Sequence, residues 1–259
     1  MHLIVIKIGG NIIDDPAKLS AFLKDFATLD GYKILVHGGG KIATDIGKKL
    51  GIEPNYVNGR RITDEQTLNL VTMVYAGLIN KNIVAELQAG GCNAIGLTGA
   101  DGCILPATKR PVKDIDYGFV GDVKSDNINS ELINKFLHTG LTPVFAPLTY
   151  SAGGLLNTNA DTIAQEVAQA MSHHMPVQLV YCFEKKGVLI DAEDDNSAIN
   201  RITAKDFDEL KEKGIISGGM IPKLENAFTA IDKGVESVII GHADDLHALI
   251  SGDSGTCIR

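Results

Sequence analysis

The stretch "KILVHGGGKIATDIGKKL", Lys33–Leu50, decides how the chain is built. Ile34-Leu35-Val36 is a short apolar run that reads as a buried strand, and Lys41 to Leu50 reads as a helix. Between them stand Gly38, Gly39 and Gly40. Glycine accepts backbone conformations closed to other residues and lets N–H groups approach an anion closely. The start of the following helix adds partial positive charge. The turn therefore reads either as a cradle for a carboxylate or phosphate, or as a merely tight connection.

Working outward, the same device recurs. "IKIGGN", Ile6–Asn11, also follows a strand-like run, and its Lys7 sits in that strand beside Gly9 and Gly10. A lysine in an apolar strand is unfavourable unless its ammonium emerges at the strand's carboxyl end, where ligands of open α/β sheets bind. A third glycine pair lies in "IISGGMIPK", Ile215–Lys223, before another helical pattern.

Strand-like runs occur at Leu3–Ile8, Ile34–His37, Ala94–Leu97, Thr142–Ala146, Val177–Cys182 and Ser237–Ile240. Helical patterns occur at Asp15–Leu29, Asp64–Ala89, Ser130–His138, Asn159–Ser172, Thr203–Lys213, Met220–Lys233 and Asp244–Ile250. The alternation predicts an α/β fold with a mostly parallel sheet covered on both faces. Glu53–Thr63 predicts a hairpin turning at Asn58-Gly59, and Ile104–Asn127 one or two hairpins laid over the sheet. A seam near Ser172–Pro176 divides a single domain, residues 1–259, into an N-terminal lobe to about residue 175 and a C-terminal lobe from about residue 176.

Composition narrows the function. With 259 residues, 44% hydrophobic, the chain can bury a large core, and 28 glycines with no tryptophan suit a Val/Ile/Leu sheet with glycine turns. No apolar run reads as a transmembrane helix, and "MHLIVIKIGG" lacks the features of a signal peptide. Cys92, Cys103, Cys182 and Cys257 form no CxxC pair and read as reduced thiols of a cytoplasmic protein. Seven scattered histidines suggest no metal site. A net charge of −8 argues against nucleic acid as a partner, so anionic ligands would need a few placed cations. The chain lacks GxxxxGK[ST], and "GGGKIATDIG" does not give GxGxxG in register. A P-loop is therefore excluded and a dinucleotide fold disfavoured.

The ordered set "KIGGN", "VHGGG", "NGRRIT", "NTNAD" and "ISGGMIPK" resembles the amino acid kinase family across essentially the whole chain. Within that family it resembles the branch acting on acylated glutamate. The resemblance implies a three-layer αβα sandwich of carbamate kinase-like fold. It implies ATP-dependent phosphorylation of the γ-carboxylate of N-acetyl-L-glutamate, with Mg²⁺ accompanying ATP, in arginine biosynthesis. By resemblance, Lys7 and Lys223 stabilise the transferring phosphoryl group and Asp161 holds both lysines. Gly38 and Gly39 present backbone to the acceptor's side-chain carboxylate, Arg61 pairs with its α-carboxylate, and Asn157 bonds the same substrate. Gly9 and Gly10 touch the nucleotide phosphates, and Ile215, Ile216 and Ser217 form part of the nucleotide site. From the residues alone, Asp161 reads first as a first-turn helix carboxylate stabilised by the dipole, and Arg60 fits a solvated hairpin arginine better than Arg61 does.

Two stretches depart from the family pattern. "YCFEKKG", Tyr181–Gly187, has Glu184 where relatives carry an aspartate that meets the nucleoside. "APLTYSAGG", Ala146–Gly154, replaces the usual turn near the acyl end of the substrate, which keeps N-succinyl-L-glutamate open as acceptor. Another acceptor of the family, or a non-catalytic amino-acid sensor, also remains open; keeping Lys7, Asp161 and Lys223 together speaks against the sensor. Arginine-inhibited members carry a helix before the first strand, whereas here Met1-His2 runs straight into Leu3. The expectation is a homodimer without arginine feedback, with the Asp64–Ala89 helix offering a dimer face.

Overall fold

The strands, in chain order, are β1 (Leu3–Ile8), β2 (Tyr32–His37), β3 (Tyr56–Val57), β4 (Arg60–Arg61), β5 (Ala94–Leu97), β6 (Ala107–Lys109) and β7 (Gly121–Val123). There follow β8 (Thr142–Phe145), β9 (Leu148–Ser151), β10 (Gly154–Asn157), β11 (Val177–Phe183), β12 (Arg201–Ile202), β13 (Ser237–His242) and β14 (Thr256–Ile258). The helices are α1 (Gly10–Ile13), α2 (Pro16–Thr28), α3 (Gly40–Lys49), α4 (Glu65–Val71), α5 (Asn80–Ala89) and α6 (Ser130–His138). They continue with α7 (Ala160–Ser172), α8 (Ala204–Glu212), α9 (Met220–Asp232) and α10 (Leu246–Ser251). The structure, a computed structural model, describes residues 2–57, 59–191, 193–194, 196–216 and 220–259.

Among the described residues, one eight-stranded sheet has the order β12-β14-β13-β11-β1-β2-β8-β5. Its neighbours run parallel except β13 and β14. All six residues of β1 are buried, as a central parallel strand requires. Side-chain alternation sorts them. Leu3 and Val5 join the core beneath α6, α7, α8 and α9, while Ile4, Ile6 and Ile8 join the opposite core beneath α2, α4, α5 and α10. This is the expected three-layer αβα arrangement. Lys7 shares the parity of Leu3 and Val5, so it emerges on the α7 side.

The chain winds from β1 to β2 on one side and later from β11 to β13 on the other. The winding direction changes between β1 and β11, so a crevice opens at their carboxyl ends. Three hairpins, β3–β4, β6–β7 and β9–β10, cover that end of the sheet. Isolated bridges tie them together: Thr63 to Gly118, Pro106 to Tyr150 and Val120 to Asn157. The β9–β10 hairpin and the strands β12 and β14 were not anticipated from the sequence. The expected turn at Asn58-Gly59 falls partly on Asn58, which lies outside the described residues.

Glu65–Ala89 is continuous helix and, by length and composition alone, long and apolar enough to cross a membrane. It is packed against the sheet instead, with Leu70, Val71, Val74, Ile79, Ile83 and Leu87 in the core. Its middle, Thr72–Ile79, is wound as a π-helix, a form that recurs next to functional sites.

Candidate active site

Two cavities meet at the end of β1. The first, of about 250 Å³, is lined by Gly38, Gly39, Arg61, Asn157 and Asp161 together with Lys7, Gly9 and Gly10. The second, of about 370 Å³, is lined by Lys7, Gly9, Gly10, Phe183, Glu184 and Lys223. Lys7, Gly9 and Gly10 thus belong to both walls. A group passing from one cavity to the other would pass the Lys7 ammonium.

Four residues of "NTNAD" have separate tasks. The Asn157 amide donates to Thr63 Oγ1 at 3.0 Å and faces the first cavity. Thr158 is buried, shares a hydrogen bond with Thr149 at 2.8 Å and donates to the Gly121 carbonyl. Asn159 caps α7 by accepting from the N–H groups of Asp161 and Thr162. Asp161, in the first turn of α7, places Oδ1 2.7 Å from Lys7 Nζ. That contact is an ion pair without aligned hydrogen-bond geometry. Lys7 is 7% exposed, and a buried ammonium is costly without such a partner.

The family profile of the amino acid kinases matches residues 2–242. The chain belongs to the amino acid kinase family. It is 59% identical over 251 residues to acetylglutamate kinase of Cytophaga hutchinsonii, covering 96% of this chain and 94% of that one. It is 56% identical to acetylglutamate kinase of Parabacteroides distasonis, covering 95% and 96%. Among solved structures, a Streptococcus mutans UA159 protein is 29% identical with a TM-score of 0.74, covering 99% and 98%. Carbamate kinase of Giardia lamblia, at 13% identity and a TM-score of 0.67 over 99% and 97%, shares the fold.

In this amino acid kinase the glycine turn works differently from its sequence reading. Gly38 lines the cavity, but its N–H is taken by the Ile8 carbonyl at 3.1 Å. The N–H groups of Gly39 and Gly40, at the α3 N-terminus, have no backbone partner among the described residues, and Gly39 lines the cavity. Gly39 has φ of +141°, which a side chain would strain. Beneath the turn, His37 is fully buried; its Nδ1 bonds the Gly38 carbonyl and its Nε2 accepts from Asn80 Nδ2 at 3.1 Å. Burial drives the imidazole down to about 4, so the ring stays neutral. Asn80 also donates to the Val144 carbonyl, tying the turn to β8.

Arg61 is buried, while Arg60 is exposed, and both line the first cavity. Arg61 Nη2 donates to the Gly40 carbonyl and to Thr44 Oγ1, and its guanidinium lies 4.7 Å from the Tyr56 ring centroid. Tyr56, Tyr75 and Arg110 also line the first cavity. No sequence pattern marked them, because they reach it from three separate elements. Arg110 is held by Asp122 across the β6–β7 hairpin.

The other lysine is placed otherwise than expected. Asp161 contacts Lys7, whereas Lys223 Nζ lies over the Phe183 ring, 4.0 Å from its centroid. Glu184 lines the second cavity. Ile215 and Ile216 wrap the end of α8, both N–H groups bonding the Leu210 carbonyl, and Ile216 is in the core. Neither is among the residues lining that cavity. Ser217 lies outside the described residues. Cys182 also faces the second cavity, with burial pushing its thiol up to about 12, which leaves it unreactive. All four cysteines are free.

Proposed function

We infer that this chain phosphorylates the γ-carboxylate of N-acetyl-L-glutamate with ATP, forming N-acetyl-L-glutamyl 5-phosphate for arginine biosynthesis. The observation that carries this reading is the junction of the two cavities at Lys7, Gly9 and Gly10, with Asp161 on Lys7 and Lys223 across the gap. The relatives named acetylglutamate kinase, which align with nearly the whole chain, support the acceptor.

The acceptor occupies the first cavity, in the N-terminal lobe. Its γ-carboxylate sits at the free N–H groups of Gly39 and Gly40, where the α3 dipole also favours negative charge. Its α-carboxylate meets the remaining N–H groups of Arg61, whose planar fork suits a carboxylate. Asn157 bonds the same molecule. ATP occupies the second cavity, built largely by the C-terminal lobe and completed by the turn after β1. Among the described residues no three His, Cys, Asp or Glu side chains converge as a metal site. Mg²⁺ would enter with ATP, as the family resemblance implies, held largely by phosphate oxygens.

No general base is required, because the attacking carboxylate is ionised at neutral pH. Catalysis is then positioning and charge stabilisation. Lys7 meets the phosphoryl group as it leaves the nucleotide, Lys223 supports it from the nucleotide side, and Asp161 keeps the Lys7 ammonium in place. Trapping of the acyl phosphate as a hydroxamate, with ATP and a panel of acceptors, tests the reading. Turnover of a carbamate or a phosphate but of no acylated glutamate would overturn it.

N-Succinyl-L-glutamate is the second reading, favoured by Arg60 and Arg110 on the cavity wall in addition to Arg61. A second carboxylate on the acyl group would have cations to meet. Competition between the two acceptors at equal concentration decides, the larger kcat/KM naming the substrate. We further place the enzyme in the cytoplasm, in line with four free thiols, and read it as a homodimer. Exposed Met73 and Leu78 on the long helix support that assembly.

A further inference from the structure

Strand parity brings three side chains onto one face at the cavity junction. Lys7 is paired in register with Tyr181 across the β1–β11 ladder, and Phe183 stands two residues further along β11, on the same face. The Phe183 ring is shared by both lysines. Lys223 Nζ lies 4.0 Å and Lys7 Nζ 5.5 Å from its centroid. Behind it the Tyr181 ring stacks at 6.1 Å with an interplanar angle of 19°. The Tyr181 hydroxyl donates to the Asp161 backbone carbonyl at 3.3 Å, and the Asp161 carboxylate contacts Lys7.

Two ammonium groups held within reach of one ring repel each other, and among the described residues the Asp161 carboxylate pairs with Lys7 and not with Lys223. An aromatic face attracts a cation through its quadrupole without adding a charge that would compete for phosphate. We propose that Phe183 is a positioning residue for phosphoryl transfer. Its ring seats Lys223 and Lys7 so that both face the phosphoryl path, and Tyr181 braces that ring against the first turn of α7. This rests on the kinase reading above. It gives Lys223, which stands at the start of α9, the anchor that Asp161 gives Lys7. Stacking on the adenine or simply walling the nucleotide cavity is the competing role for the same ring.

The test compares Phe183→Leu, which keeps apolar bulk without a π-face, with Phe183→Tyr, which keeps the face. Phe183→Leu should lower kcat about tenfold, the scale of a partly desolvated cation–π contact. The acceptor KM should stay within about twofold, because Phe183 does not line the acceptor cavity. Phe183→Tyr should restore kcat to within about twofold of wild type. Adding Phe183→Leu to Lys223→Ala should cost less than it costs alone, since the ring acts through that lysine. Unchanged kcat in Phe183→Leu, equal impairment of both variants, or a loss confined to nucleotide KM would overturn the proposal. A readout independent of turnover is the Lys223 ε-methylene proton resonance, shifted upfield by the ring in wild type and Phe183→Tyr but not in Phe183→Leu. An unshifted wild-type signal also overturns it. Wild type inert toward every acylated glutamate, with that signal intact, would instead remove the kinase reading and leave the ring's hold on Lys223 standing.

Discussion

Lys7 shows how one residue carries both a cost and a use. Placed in an apolar strand and 7% exposed, it is tolerated because Asp161 lies 2.7 Å away and the Phe183 ring is beside it. Its role in the transition state predicts that Lys7→Ala lowers kcat by at least about 100-fold, the scale for removing one preorganised donor. Steady-state assays should show little change in acceptor KM. Arg61→Ala should instead raise acceptor KM with a smaller effect on kcat, because a ground-state clamp is lost. His37 gives a prediction of a different kind. Its folded-state pKa is depressed from 6.5 to about 4 by burial. The unfolded ring takes up a proton as pH falls through 6.5, and the folded ring does not until about 4. Its contribution to stability is therefore complete above the unfolded pKa and lost as pH falls toward the folded one, on the order of 3 kcal/mol in total. Urea unfolding across that range should show a weaker pH slope in His37→Gln than in wild type. The lysines, Asp161 and Arg61 were all marked by motif; Tyr75, Arg110 and Phe183 were not, since each is an unremarkable core or hairpin residue until its neighbours are known.

At the scale of elements, the glycine turn before α3 and the π-wound segment of the long helix depend on each other. Gly39 has φ of +141°, and a methyl group there would run into Ile79 of that segment, with Tyr75 in contact beside it. Gly39→Ala should cost about 1–3 kcal/mol in urea unfolding and raise acceptor KM, as both backbone strain and overpacking act at once. The segment ends at Asn80, which is 1% exposed and supplies the hydrogen bond to His37. Asn80→Ala would leave the buried His37 Nε2 without its donor, with an expected loss of about 1–3 kcal/mol in the same measurement. Elements with long apolar periodicity, such as β1, β2, β11 and α7, were legible from sequence because burial on a sheet imposes that periodicity. Short strands such as β12 and β14, and the β9–β10 hairpin, were not. They carry too few residues for a period, and their pairing partners are distant in the chain.

For the whole molecule, a net charge of −8 coexists with a cationic cavity, because Lys7, the Arg60-Arg61 pair and Arg110 are gathered from three separate stretches. Attraction of an anionic acceptor is thus local, as the sequence balance implied. The homodimer reading makes the prediction at this scale. Light scattering should give twice the chain mass, and Met73→Asp with Leu78→Asp should give monomers, since both side chains are exposed on the long helix and neither lines a cavity. A monomeric wild type would remove it. The sequence by itself determined the α/β class, the layer order and the motif residues around each glycine turn, because periodicity and backbone freedom are local properties. Only the tertiary structure decided that Gly38 spends its N–H on Ile8, that Lys223 rests on Phe183 while Lys7 takes Asp161, and that three hairpins line the first cavity. Those outcomes are set by which strand lies beside which and by the side-chain parity that follows, and neither is written in any single segment of the chain.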